Sequence, residues 1–182
     1  STLGSAISDS NKSNTMSHIV EADWITDAGF RAVVIMTEMG HRCGYVGIPP
    51  THPLYGVGYS EPSTALTFPA EEPIGHRGII SVLVAASDNH RASPDAVFDV
   101  HGSITYAAGS PDYPIKSKNL WWFGYDCAHA GDARDLEQMH TFEDDETLRS
   151  IFADSEQGVI RTLAFCREQC ESLAQQLIDR IK

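Results

Sequence analysis

Phe30-Arg31-Ala32-Val33-Val34-Ile35-Met36 is an apolar run rich in β-branched residues, and His41-Arg42-Cys43-Gly44-Tyr45-Val46-Gly47-Ile48 follows it as a second extended segment. Branched side chains lose rotamer freedom in a helix but pack well on a pleated surface, and Glu38-Met39-Gly40 supplies a short turn between the two runs. The spacing predicts a β-hairpin. Because the clear helical pattern comes only at the far end of the chain, the hairpin argues against an alternating doubly wound fold. The expected class is α+β: a mostly antiparallel sheet of about five or six strands with a long C-terminal helix packed on one face.

Outward from the hairpin, Pro49, Pro50 and Pro53 forbid regular structure, and Tyr55 and Tyr59 favour an ordered loop from Pro49 to Pro62. Gly78 to Ala86 is the most hydrophobic strand candidate, Ser87 to Pro94 a polar loop, and Ala96 to Ala107 two short extended pieces flanking His101-Gly102. Trp121, Trp122 and Phe123 in succession suit a strand covered on both faces. Neighbours on a strand point to opposite sides, so one of the two tryptophans is expected in the core and the other is free to line a pocket; the sequence does not say which, though Trp122 is expected to share the face of Leu120. Val159, Leu163, Cys166, Cys170, Leu173, Leu177 and Ile181 recur every three or four residues, predicting a helix over Ser155 to Lys182 capped by Asp154 or Ser155. Cys166 and Cys170 read as small core residues on its buried stripe.

The chain has 182 residues, enough for one well-buried core, so a single α+β domain is expected over residues 19–182 behind a polar, flexible tail at 1–18. An apolar fraction of 42% supports folding over most of that length. With 13 Lys and Arg against 25 Asp and Glu, the formal charge of −12 repels a polyphosphate backbone and excludes nucleic-acid polymers as partners. A small anion needs only one or two local cations and is not excluded. The four cysteines form no CxxC pair, the polar Ser1 to Thr15 stretch has no apolar core so no secretory leader is expected, and no apolar run approaches the ~18 residues that span a bilayer. These features predict a cytoplasmic protein with reduced thiols and no membrane partner.

Three segments place titratable groups beside glycines and aromatics, the composition of a shaped pocket. They are Gly44-Tyr45-Val46-Gly47 with Thr51-His52-Pro53-Leu54-Tyr55-Gly56, then Asp99 to Tyr106 around His101, then Trp121 to Asp132. Asp126, His129 and Asp132 recur every three residues, and with His101 they could hold a divalent metal. Glycines at 124 and 131 fit a turn in which the carboxylates accept backbone N–H bonds instead, so no metal or other cofactor is expected. A histidine oriented by a carboxylate suffices for proton transfer, which makes His101, Asp126, His129 and Asp132 the candidate catalytic residues, paired as His101 with Asp126 or His129 with Asp132. No nucleophile signature or phosphate loop accompanies them, and the sequence does not decide whether the protein is an enzyme. For binding without turnover, Tyr55, Tyr59, Trp121 and Trp122 would stack on a planar ligand while Arg42, His52, His101, Thr105, Asp126 and His129 engage its polar edges.

Together the three strings resemble a family of small bacteriophage and bacterial proteins with no established activity, whose pattern runs GYVG-P-HPLYG-Y, VHGG-T-Y and WWFGFDCAHAGD. The resemblance covers most of Trp24 to Tyr59 and Val97 to Asp132. The chain departs from it at Ser103, where a second glycine is usual, and in a longer stretch from Ser60 to Ala96. The expectation that follows is a small-molecule-binding protein, in its specific form a phage anti-defence protein sequestering a nucleotide-derived immune signal. The alternatives are a hydrolase of a small phosphorylated or nucleotide-like substrate and an adaptor for a host protein. The exposed strand edges and apolar helix face expected of such a fold suit a homodimer.

Overall fold

β2 (Arg31–Met36) and β3 (Arg42–Ile48) form the hairpin, pairing antiparallel from Arg31 opposite Gly47 to Met36 opposite Arg42. The computed structural model describes residues 18–68, 92–129, 131–135 and 158–182. Thr37 closes the turn, with its hydroxyl donating to the His41 carbonyl at 3.0 Å. β1 (Ile19–Ile25) lies outside β2, with a register break between Val20 and Ala22 that leaves Glu21 as an extra residue. On the other side, β5 (Trp121–Asp126) pairs with β3, and the short β4 (Tyr106–Ala108) pairs with β5. The order is β1-β2-β3-β5-β4, antiparallel throughout.

Both faces of this sheet are covered, which is why β2 reads as an uninterrupted apolar run. On one face Ala32, Val34, Val46, Phe123 and Tyr125 pack with Cys166, Cys170, Leu173 and Leu177 of the C-terminal helix, numbered α2 below. On the other face Val33, Ile35, Tyr45 and Trp122 form a second core closed by Tyr106, Tyr113, Ile115 and Leu120. Trp122 is wholly buried there beside Leu120, as the alternation predicted, and Trp121 packs half-buried on the helix side.

The glycines of the first and third motifs prove to be sockets for aromatic rings. Gly44 lies opposite Tyr125 and Tyr45 opposite Gly124. A Cβ at Gly44 would stand 2.5 Å from the Tyr125 ring, and one at Gly124 would strike Tyr45. The tyrosines lie across the partner strand, each filling the gap left by a missing side chain.

α1 (Pro94–Val97) is a single helical turn started by a proline in its first positions, so the extended piece expected from Ala96 does not form; extended structure resumes only at β4. α2 spans Leu163–Asp179, shorter than Ser155 to Lys182. Its N-cap is Thr162, whose side chain accepts from Phe165 N, and Val159–Ile160 forms β7, parallel to β6 (Asp132–Ala133). Asp154, Ser155, the candidate strand Gly78 to Ala86, most of the Ser87 to Pro94 loop and the tail to residue 17 lie outside the described residues. Among the described residues no helix is long and apolar enough to cross a membrane.

Candidate functional site

The polar centre forms where β5 ends. Gln176 of α2 accepts from Asp99 N at 2.8 Å and donates to Asp99 O at 2.9 Å, while Gln169, two turns earlier, accepts from His101 N at 2.8 Å. Two glutamines seven residues apart thus strap the Asp99 to His101 backbone along the helix. They direct the His101 ring onto Phe165, edge to face at 5.4 Å.

Past β5, the chain turns tightly enough for Asp132 N to donate to His129 O at 3.0 Å, and this sets the pairing of acids and imidazoles. Asp132 turns inward: its Oδ2 meets His101 Nε2 at 2.7 Å and accepts from His129 N at 3.2 Å, and its Oδ1 accepts from Arg161 Nε at 2.8 Å. Asp126, on the open side, lies 3.3 Å from His129 Nε2 and accepts from Thr105 Oγ1 at 3.1 Å and Ala128 N at 3.1 Å. The pairs are therefore His101 with Asp132 and His129 with Asp126, the reverse of the partners expected from sequence. The Asp126 oxygen stands off the hydrogen-bonding direction of His129 Nε2, which is buried without a hydrogen-bond partner among the described residues.

The two rings stand 6.0 Å apart, edge to face. Gly102 makes this approach possible, since at φ +69° it adopts backbone that side chains disfavour, and any Cβ there would collide with the His129 ring. Ser103 follows at φ +72°, also left-handed, which is the backbone that favours the second glycine of the resembled pattern. Burial works against the charge of Asp132, but the bonds from Arg161, His101 and the His129 backbone outweigh it, holding its carboxyl below the ordinary carboxylate range.

The remaining site expectations separate from this centre. Arg42 does not face a ligand: it is buried, bound to Glu21 at 2.8 Å, Asp135 at 3.0 Å and the Arg161 carbonyl at 3.1 Å. Trp122 likewise belongs to the second core, its Nε1 donating to Ser117 Oγ at 3.1 Å. His52 binds the Leu177 carbonyl at 2.8 Å, some eight helical residues beyond Gln169, roughly 12 Å along the axis. Burial lowers its pKa from the ordinary histidine value, against the opposing pull of that carbonyl. Trp121 and Tyr55 meet at the opposite end of β5, while Tyr59 is exposed and its carbonyl accepts from Asp95 N at 2.8 Å. There Trp121 Nε1 donates to Val57 O at 3.0 Å and its ring lies 6.1 Å from that of Tyr55. The predicted pocket therefore divides, with stacking aromatics at one end of the strand and polar groups at the other.

Arg161, Phe165 and Gln169 were invisible as site residues in the sequence, because only the β6–β7 pairing and the helix packing bring them beside His101. Among the described residues no group of three or more His, Cys, Asp or Glu is placed to hold a metal ion. Both oxygens of Asp132 are already spent on His101, Arg161 and His129 N. No family model, curated protein or solved structure matches the chain.

Proposed function

We propose that the chain binds a small polar ligand at the end of β5, held by His101, His129, Asp126 and Thr105. The observation that carries this reading is the pair of carboxylate-backed imidazoles. His101 bonds through Nε2 to Asp132 Oδ2 at 2.7 Å, His129 Nε2 lies 3.3 Å from Asp126 Oδ1 yet has no hydrogen-bond partner among the described residues, and both side chains are partly open to solvent. Asp132 has a structural task as well, tying the turn to Arg161, but no structural task accounts for the unpartnered Nε2 of His129 so close to a second imidazole. In its specific form the ligand is nucleotide-derived and the protein sequesters it as an immune signal, a step that rests on the motif resemblance alone.

A second reading draws on the same pair. A histidine whose Nε2 is held by an anchored carboxylate has its proton placed and its other nitrogen presented, the arrangement of a general base or acid. Hydrolysis of a small phosphorylated or nucleotide-like substrate would use it so. Incubation with a nucleotide library followed by mass spectrometry of bound and released species separates the two. Intact ligand recovered on denaturation supports binding, and altered ligand supports catalysis. In either case Asp126→Asn should weaken retention by about tenfold, the loss of a charged hydrogen bond. No species retained or altered, or retention unchanged in Asp126→Asn, overturns the site.

A further inference from the structure

Three of the four thiols meet beneath this centre. Cys127 follows Asp126 directly, Cys166 and Cys170 lie one turn apart on α2, and the sulfurs of Cys127 and Cys166 stand 3.7 Å apart. Tyr125 fixes the arrangement by donating to the Cys166 carbonyl at 2.8 Å, with its hydroxyl 3.9 Å from the Cys170 sulfur. All four cysteines are free and buried. Bonded sulfurs sit about 2.05 Å apart, so closing the Cys127 to Cys166 gap takes a shift of roughly 1.7 Å shared between two side chains.

We propose that Cys127 and Cys166 are a dithiol site that hydrogen peroxide converts to a reversible disulfide, tying the end of β5 to the first turns of α2. The thiols are unequal, as such a step requires. The hydrogen bond between them, then burial, raises the pKa of Cys127; the same bond lowers that of Cys166, with help from Tyr125 and the charge of Arg42. Burial pushes Cys170 up to about 12, leaving it inert.

The Cys166 thiolate attacks one peroxide oxygen; the O–O bond breaks and the other oxygen leaves as water after taking up a proton. The Cys127 sulfur then attacks the sulfenic sulfur, forming the S–S bond and expelling the second oxygen as water with the Cys127 proton. Two thiols lose two electrons in all, and the peroxide is reduced to two waters. Cys127 adjoins the exposed Ala128 at the end of β5, whereas Cys166 is fully buried. The cross-link would lie under both imidazoles, since Cys127 precedes His129 by two residues and Cys166 adjoins Phe165, on which His101 packs. The proposal stands independently of any ligand.

Its test uses the folded wild-type chain, treated with a few equivalents of hydrogen peroxide, alkylated and digested with trypsin. Cleavage after Lys118 and Arg134 releases Cys127 within residues 119–134; cleavage after Arg161 and Arg167 releases Cys166 within 162–167, while Cys170 falls in 168–180. The expected product is the linked pair 119–134 and 162–167, lighter by two hydrogens, lost on treatment with dithiothreitol and still formed in Cys43→Ser. No link in folded protein, a link to 168–180 of equal yield, or a link that forms only in denaturant overturns the proposal. Because the wild type carries the mapping, the outcome does not depend on whether a cysteine variant folds.

Discussion

The two ends of β5 share one strand and opposite chemistry. Trp121 and Asp126 are five residues apart, about 17 Å at the rise of an extended chain. At the tryptophan end each indole N–H has its acceptor, Val57 O for Trp121 and Ser117 Oγ for Trp122, and the rings fill glycine-lined gaps at Gly109 and Gly47. At the aspartate end two imidazoles stand close together, with the Nε2 of His129 unanswered among the described residues. The contrast teaches that aromatic density marks packing in this protein, whereas the proposed site rests on polar groups brought together and left incomplete.

The largest effect is expected where packing is complete. Trp122→Ala removes a wholly buried ring and should lower stability by roughly 3–5 kcal/mol in urea unfolding, with Trp121→Ala costing about half as much because that ring is only half-buried. Equal losses at the two positions would erase the distinction between the tryptophans.

A smaller effect is expected at the polar end from Gly102→Ala. Left-handed backbone and a collision with the His129 ring should together cost about 1–3 kcal/mol and shift the His129 ring resonances in NMR, while those of His52 stay in place. Unchanged His129 resonances would mean that the imidazole does not rest on this glycine.

The smallest effect sharpens the comparison through pH. Asp132 has a folded pKa below its unfolded value of about 3.9, so its stabilisation is complete above that pH and is lost as pH falls through the lower folded value. The stability gap between wild type and Asp132→Asn should therefore be flat above about pH 4 and narrow below it. A gap that instead changes between pH 6 and 8 would assign the coupling to the His101 charge rather than to the carboxylate.

Burial on both sheet faces spells itself out as the unbroken run Ala32 to Met36, and a helix packed along one stripe as the recurrence from Leu163 to Leu177; both were legible. β1 was not, because its extra residue at Glu21 breaks the alternation that would betray a strand. The helix start was misplaced because Val159 continues the apolar spacing while lying in β7, ahead of the Thr162 cap. For the site, His101, Asp126, His129 and Asp132 were legible as a set by composition. Their pairing was not, because a single backbone bond from Asp132 to His129 decides which aspartate turns inward. Arg42 misled for a general reason: a lone cation in an acidic chain reads as a ligand contact until the distant Glu21 and Asp135 are seen to claim it.

Glu21 carries one more consequence. A sheet bounded by a regular outer strand offers a ladder on which further copies can add, one after another, into a filament. Here the boundary strand loses register at the residue whose carboxylate is drawn in to Arg42, so a newcomer pairing along β1 meets a misfit part-way. The acid that neutralises an interior guanidinium thereby also discourages uncontrolled growth of the sheet at this edge.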